Sequence, residues 1–235
     1  RMHHMLTEVG ATLVLTHQPT HDTVPHGPWH TLNIENAPAP GVALSLSHTL
    51  AHLPQSLDPA HACYIIFTSG STGRPKGTTV THANVTRLFN AARQRLPFGP
   101  DDTWTLFHSY AFDFSVWEMW GALTTGGRLV VVPYLTSRDA DAFYTLVHDQ
   151  AVTLLSQTPS AFRQFEATDQ THNRDLALRA VVFGGEALDT PSVRRWTNRH
   201  GCTTPRLINM YGITETTVHV TTNEIDENQL NNSAT

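Results

Sequence analysis

The 235-residue sequence contains a single lysine, Lys76; its other cationic side chains are arginines. Only 15% of the residues are charged, and the net charge is −5 with histidine neutral. No face is basic enough for the clustered cations on which nucleic-acid affinity rests, which argues against a nucleic-acid partner. No apolar run approaches the ~20 residues that span a bilayer, which argues against a membrane role. No charged start followed by an apolar centre marks a secretory signal. The two cysteines, Cys63 and Cys202, lie far apart and outside any CxxC pairing. They read as reduced thiols of a cytoplasmic protein, with a lone disulfide as the alternative. The chain opens on Arg1 and not on methionine, which reads as a piece of a longer protein.

The length and the 40% hydrophobic content are those of one or two compact units with a real core. Histidine is abundant, at 15. His48 and His52 stand at i,i+4 but lack the glutamate of HExxH, and His17, His21, His26 and His30 sit among Pro, Gly and Thr. A zinc site needs converging ligands, so these read as solvated loop histidines.

Residues 1–16 predict a short amphipathic helix followed by a strand from Thr12 to Leu15; residues 17–60, rich in Pro, His and Thr, predict an irregular connection. Order resumes with a strand at Tyr64–Phe67. Val85, Leu88, Phe89 and Ala92 fall on one face of a helix. Further strands are expected at 103–107, 129–132, 152–155, 180–183 and 206–209. Helices are expected from about Ser115 with Val116, Met119, Trp120 and Leu123 inward, from Ser137 with Phe143, Leu146 and Val147 inward, from Pro159, and over 190–200. Strands alternating with helices imply an α/β fold of layered, mainly parallel sheets. Ligands bind at the carboxyl ends of such strands. Three motifs fall there: the loop after Phe67, GGEAL after Phe183 and MYGITE after Asn209.

The stretch YIIFTSGSTGRPKG, Tyr64 to Gly77, packs glycine, hydroxyl and positive charge into one loop. Gly70, Gly73 and Gly77 let the backbone approach a ligand. Successive N–H groups form an anion nest, Thr68, Ser69, Ser71 and Thr72 add hydroxyls, and Lys76 adds a mobile charge. The ensemble suits a polyphosphate, with a flexible linker as the alternative. It is not a Walker A loop, because Arg74 and Pro75 follow Gly73.

This stretch resembles the phosphate-binding signature of the adenylate-forming superfamily. FDFSVWEMWGAL (Phe112 to Leu123), GGEAL (Gly184 to Leu188) and NMYGITETT (Asn209 to Thr217) match later signatures in the same order, and RMHHMLTEVGATLVLT resembles the segment ahead of the loop. Nearly the whole chain is covered, residues 17–60 loosely. Within the superfamily it is most similar to the adenylation domains of nonribosomal peptide synthetases, with Asp113 where those domains hold the α-ammonium of an amino acid. Taken alone, without the other motifs, Asp113 reads as a helix N-cap.

The resemblance implies a partial adenylation domain over residues 1–235, from the large N-terminal subdomain, without the small C-terminal lid. It implies attack of an amino-acid carboxylate on the α-phosphate of Mg-ATP, then transfer of the aminoacyl group to a phosphopantetheine thiol on a peptidyl carrier domain. Thr68, Ser69, Gly70, Ser71, Thr72, Gly73, Lys76 and Gly77 would cradle the β- and γ-phosphates. Asn209 would bind the adenine amino group and Tyr211 stack on the ring; Gly184 and Gly185 would bring backbone close to nucleotide and substrate. Thr214 would touch the α-phosphate and Glu215 would ligate Mg²⁺, a hard cation that takes few carboxylates. Read alone, Tyr211 is equally a core aromatic and Glu215 a surface acid. An MbtH-like accessory protein is a plausible partner by family precedent.

By the same resemblance Asp113, Phe114, Trp117, Ser156, Val182, Gly184, Met210, Val218 and His219 line the amino-acid pocket. Trp117, Met210 and Phe114 shorten it, while Ser156 and His219 offer hydrogen bonds to a hydroxyl. A small hydroxylated, threonine-like amino acid is expected, with serine, a modified threonine or serine, and 2-aminobutyrate open. Val182, Met210 and Trp117 also read as ordinary core residues. The alternatives in class are an acyl-CoA synthetase-like ligase and a non-catalytic nucleotide- or partner-binding module.

Overall fold

Short β-branched runs separated by amphipathic helices dictate the layered arrangement found in a computed structural model, which describes residues 1–36, 57–69 and 73–232. The chain divides into two units, Arg1–His82 and Ala83–Thr235.

In the first unit, helix α1 (Met2–Glu8) leads to strand β1 (Leu13–Thr16). The short helix α2 (Gln18–His21) and strand β2 (His30–Asn33) follow. β1 and β2 pair in parallel, from Leu13 opposite His30 to Thr16 opposite Asn33. The expected irregular connection over 17–60 is therefore partly regular: β2 finds its partner across the chain, a pairing that local composition does not reveal. β3 (Ala62–Ser69) and β4 (Pro75–Thr81) form an antiparallel hairpin. This corrects the expectation for the loop after Phe67, which is a hairpin tip and not the carboxyl end of a parallel strand.

The second unit is built on a six-stranded sheet. Helix α3 (His82–Arg93) buries Val85, Leu88, Phe89 and Ala92, the stripe the spacing predicts. Then come β5 (Thr103–Leu106), α4 (Phe114–Leu123), β6 (Arg128–Val131), α5 (Ala140–Asp149), β7 (Leu154–Gln157), α6 (Pro159–His172), β8 (Ala180–Phe183), α7 (Thr190–His200), β9 (Arg206–Tyr211), β10 (Thr221–Glu224) and α8 (Glu227–Asn232). The strand order is β10-β9-β8-β7-β5-β6, parallel except for β10. The stretch from Thr136 to Arg138 is a 3-10 turn, and α5 starts after it, where the Asp139 side chain accepts the Ala142 N–H. In α4 the buried residues are Phe114, Ser115, Val116, Trp117, Glu118, Gly121 and Ala122, while Leu123 is 59% exposed. Of the expected inward residues Val116 is buried and Met119 and Trp120 are half-buried, while the rest of the buried face is set by Phe114, Trp117, Glu118 and Gly121.

Period-2 alternation assigns the two faces of the sheet. Leu155, Val181 and Leu207 are register partners on one face. They form the main core with Phe143, Tyr144, Val147, Phe162, Phe165 and Trp196, each contributing about 1.5–3 kcal/mol by leaving water. Ser156, Val182 and Ile208 are partners on the other face. There Trp104 of β5 meets Trp117 of α4 with ring centroids 5.5 Å apart.

Between α6 and α7 the fully buried Glu166 and Asp169 are held by two arginines and a histidine. Arg199 bridges them at 2.8 and 3.0 Å, Arg195 reaches Glu166 at 2.9 Å, and His200 reaches Asp169 at 2.6 Å. The Tyr144 hydroxyl donates to Asp169 at 2.9 Å. Burial, with this carboxylate alongside, pushes the Tyr144 phenol up to about 12.

Candidate functional site

The hairpin carries the glycine-rich loop. β3 runs on to Ser69 and β4 starts at Pro75, so most of the motif lies on the two paired strands. Gly70, Ser71 and Thr72 lie outside the described residues. Thr68 stands opposite Lys76 in the ladder, and directly opposed residues share a face. The threonine hydroxyl and the exposed ammonium therefore leave the hairpin on one side. Gly73 has φ +78°, a left-handed conformation that a side chain would strain. Gly77 differs: the room left by its missing side chain is taken by Ile65 and Phe67, whose atoms lie 3.1 and 3.3 Å from where a Cβ would sit. A concavity of about 610 Å³ beside the tip is lined by Arg1, His4, Ser69, Gly73, Arg74 and Pro75. Cations and a hydroxyl in one concavity suit an anion.

In the second unit the candidate residues gather at the carboxyl ends of the parallel strands. Asp113 occupies the N-cap position of α4, yet its side chain makes no cap hydrogen bond. The capping alternative therefore does not account for it. Asp113 is 5% exposed, and its Oδ2 has no hydrogen-bond partner among the described residues. Burial pushes its carboxyl above the ordinary carboxylate range, and the Glu215 charge adds to the push, against hydrogen bonds from Thr214 and nearby backbone amides.

Phe114 and Trp117, on the first turn of α4, each meet the ring of His219 at 5.3 Å. Trp117 also stacks on Phe89 at 5.4 Å, so it packs the core on one side and faces His219 on another. A Cβ on Gly184 would come within 3.3 Å of the Phe114 ring and 3.4 Å of the His219 ring, so the glycine Cα closes this cluster. Gly185 has φ +84°, and a Cβ there would lie 2.9 Å from the Phe112 ring. Ser156, Val182 and Met210 are buried on the sheet face that carries Trp104. Val218 is buried beside His219.

Alternation along β9 sends Asn209 and Tyr211 to the opposite face from Met210. Tyr211 is 65% exposed, which excludes the core-aromatic reading. Thr214 and Glu215 follow in a 3-10 turn, Thr214–Thr216, with Glu215 exposed. Among the described residues no three His, Cys, Asp or Glu side chains converge on a metal position. A divalent cation held by Glu215 would complete its shell with ligand and water oxygens, as Mg²⁺ does.

Two residues of the site escaped sequence reasoning. Glu118 is wholly buried on α4; its Oε1 lies 3.1 Å from His108 Nδ1, and its Oε2 accepts the backbone N–H groups of Phe107 and His108. Burial pushes the Glu118 carboxyl up, against these hydrogen bonds. His108 stacks on Phe114 at 4.6 Å, and its Nε2 is buried without a partner among the described residues. The available signal is a glutamate set in the apolar run 116–120 of α4. His108, Phe107, Gln157, Thr158 and Arg138 line a cavity of about 410 Å³ beyond the ends of β5 and β7.

His219 is buried and neutral: desolvation pulls its pKa down to about 3, against a backbone hydrogen bond at Val218. Its Nε2 has no partner among the described residues. The unfolded chain binds this proton below about pH 6.5 and the native state does not, so stability is present above that pH and is lost as pH falls. At pH 5 the loss relative to pH 8 is about 2 kcal/mol from this group. We expect His219→Gln to flatten that limb of a pH–denaturation series, and an unchanged slope would show the ring is not buried neutral.

The AMP-binding enzyme family matches residues 1–235. Dimodular nonribosomal peptide synthase of Bacillus subtilis (strain 168) is 54% identical over 175 residues, covering 73% of this chain and 7% of that protein. Syringomycin synthase SyrB1 of Pseudomonas syringae pv. syringae is 54% identical over 166 residues, covering 70% of this chain and 27% of that protein. The chain thus spans a small part of the length of these relatives. The crystal structure of the nonribosomal peptide synthetase FmoA3 superposes with a TM-score of 0.79 at 26% identity, over 96% of this chain and 23% of that one. Its alpha-methyl-L-serine-AMP-bound form gives a TM-score of 0.78 at 25% identity, over 95% and 24%. From family match, sequence relatives and shared fold together, the chain belongs to the AMP-binding enzyme family, alongside adenylation modules of nonribosomal peptide synthetases.

Proposed function

We propose that residues 1–235 are part of an adenylation domain that activates a small hydroxylated, threonine-like amino acid as its adenylate. The observation that carries this reading is a buried carboxylate, Asp113, with an unpartnered oxygen, next to a cluster that holds the bare Nε2 of a neutral histidine. A buried carboxylate calls for a cation, and the α-ammonium supplies one. An imidazole nitrogen calls for a donor, and a β-hydroxyl supplies one. Phe114, Trp117 and Met210 restrict the side chain to a small one. The capture of FmoA3 with alpha-methyl-L-serine-AMP, a small hydroxylated amino acid, is consistent with this.

ATP is the co-substrate in this reading; FmoA3 also has an AMPPNP-bound form. The Thr68–Gly77 loop, with Lys76, receives the β- and γ-phosphates. Tyr211 offers an exposed ring face to adenine, and Asn209 a side-chain amide. Glu215 holds Mg²⁺, which neutralises phosphate charge when bound. The residues themselves position the amino-acid carboxylate and shield it from water, so that orientation and charge neutralisation lower the barrier. Passage of the aminoacyl group to a phosphopantetheine thiol on a carrier domain completes the proposed sequence, in the cytoplasm, with an MbtH-like protein as a candidate accessory.

The test is ATP–pyrophosphate exchange by the intact protein across a panel of amino acids. Threonine should lead, serine and 2-aminobutyrate should follow, and large aromatic or acidic side chains should give background. A leading aliphatic or aromatic substrate would sink the hydroxyl reading, and exchange driven equally by plain carboxylic acids would sink the amino-acid reading.

A further inference from the structure

Residues 211–220 form a loop whose neck is closed by a 2.8 Å hydrogen bond from the Val220 N–H to the Tyr211 carbonyl. Near its end, the His219 N–H donates to the Thr217 carbonyl at 2.7 Å, a very tight reversal. Thr217 and Val218 within that reversal have φ +70° and +61°. Both are β-branched and both are buried. The left-handed region crowds any Cβ, and a branched one most. Such residues persist where the surroundings over-determine them.

Gly212 is the surface that does so. A Cβ on residue 212 would lie 2.1 Å from the Val218 carbonyl oxygen and 2.7 Å from the His219 Cα. These are backbone atoms that have no rotamer to swing away. The Val218–His219 backbone therefore passes directly over the bare face of Gly212. From that crossing the His219 ring reaches both Phe114 and Trp117.

We propose that Gly212 is a specificity-setting positioning residue: having no side chain, it lets the strained Thr217–His219 turn lie against it and so places the His219 imidazole at the amino-acid site. The proposal rests on the reading of His219 as the partner of a substrate hydroxyl. Gly212 touches no substrate in this scheme; it acts through the turn.

The experiment compares kcat/KM for threonine and 2-aminobutyrate in the intact protein at saturating ATP. The ratio cancels defects in nucleotide binding that a change beside Tyr211 also brings. His219→Leu should lower the ratio about tenfold or more, as loss of a hydrogen bond to a substrate hydroxyl does. Gly212→Ala should lower it comparably, and the double variant should fall no further than His219→Leu alone. Thr217→Gly relieves the left-handed strain at residue 217 without filling the crossing, so it should fold as well as the parent and still lose part of the ratio. If Gly212→Ala does not fold, Thr217→Gly decides alone. An unchanged ratio in His219→Leu overturns the hydroxyl reading itself. A ratio that falls in His219→Leu but holds in Gly212→Ala and Thr217→Gly overturns the positioning proposal and leaves that reading standing. A ratio that moves with Gly212 and not with His219 also overturns it.

Discussion

Replacing Asp113 by asparagine or alanine in the intact protein should lower kcat/KM for threonine at least a hundredfold while leaving the melting temperature unchanged or raised. The two halves of this result have one origin. The Asp113 carboxyl is buried, raised above its ordinary range and short of a partner at Oδ2, so its charge costs the empty protein stability. The same charge becomes favourable once an α-ammonium reaches it. Removing the carboxylate leaves that ammonium buried alone, a loss of about 3–5 kcal/mol. At 1.4 kcal/mol per decade this exceeds two orders of magnitude in kcat/KM. A des-amino analogue such as 3-hydroxybutyrate should lose nothing and gains if anything. Acidification should act like a partial mutation: as pH falls toward the raised pKa, the carboxylate is protonated and KM for threonine rises first. Equal losses for threonine and the analogue, or a large drop in Tm, would reassign Asp113 to structure.

Arg199→Leu should be the most destabilising single change outside the site. Its guanidinium spans two carboxylates, Glu166 and Asp169, that have no exposed surface. Breaking a buried pair by removing one partner typically costs about 3–5 kcal/mol, because the remaining charge is stranded. At about 2–4 °C per kcal/mol for a chain of this size, Tm should fall by about 6–20 °C. Arg195 and His200 soften the loss but reach one carboxylate each. Adding Glu166→Gln to Arg199→Leu should recover part of the stability by removing a stranded charge. A fall of under 1 °C, by thermal melts, would show that Arg195 and His200 suffice.

Much of this architecture was legible because long-range packing agreed with local pattern. The α3 stripe and the all-buried runs of β7 and β8 needed no partner to be recognised. The failures have physical reasons. Pro75–Thr81 reads as loop because Pro, Lys and Gly head it; it is a strand because β3 lies across from it. Every residue of β10 is exposed, so no alternation marks it. On α4 Val116 is buried as its spacing predicts, but Met119, Trp120 and Leu123 are apolar enough to suggest an inward face that Phe114, Trp117, Glu118 and Gly121 occupy instead. At the site, motif order pointed to Asp113, Gly184 and His219, which the structure brings around Phe114. It gave no sign of the Glu118–His108 pair, whose members are ten residues apart and meet across a turn. Nor does any residue pattern announce two β-branched residues at positive φ.

The strand order has one more consequence. β5 is followed in sequence by its outer neighbour β6, and β7 then returns to β5's other side. α4, leaving β5, packs on the face of Trp104, whereas α6, leaving β7, packs on the face of Phe183. Beyond their carboxyl ends β5 and β7 thus send the chain to opposite faces, with the β6–β7 crossover through α5 on the same face as α6, and this is the switch point at which open α/β sheets hold their ligands. The 410 Å³ cavity opens there. It is a product of chain path and not of trimmed side chains, so exchanging Ser109, Arg138 or Gln164 changes what the opening accepts without closing it. A protein built this way is free to alter its chemistry at the rim while the scaffold stays fixed.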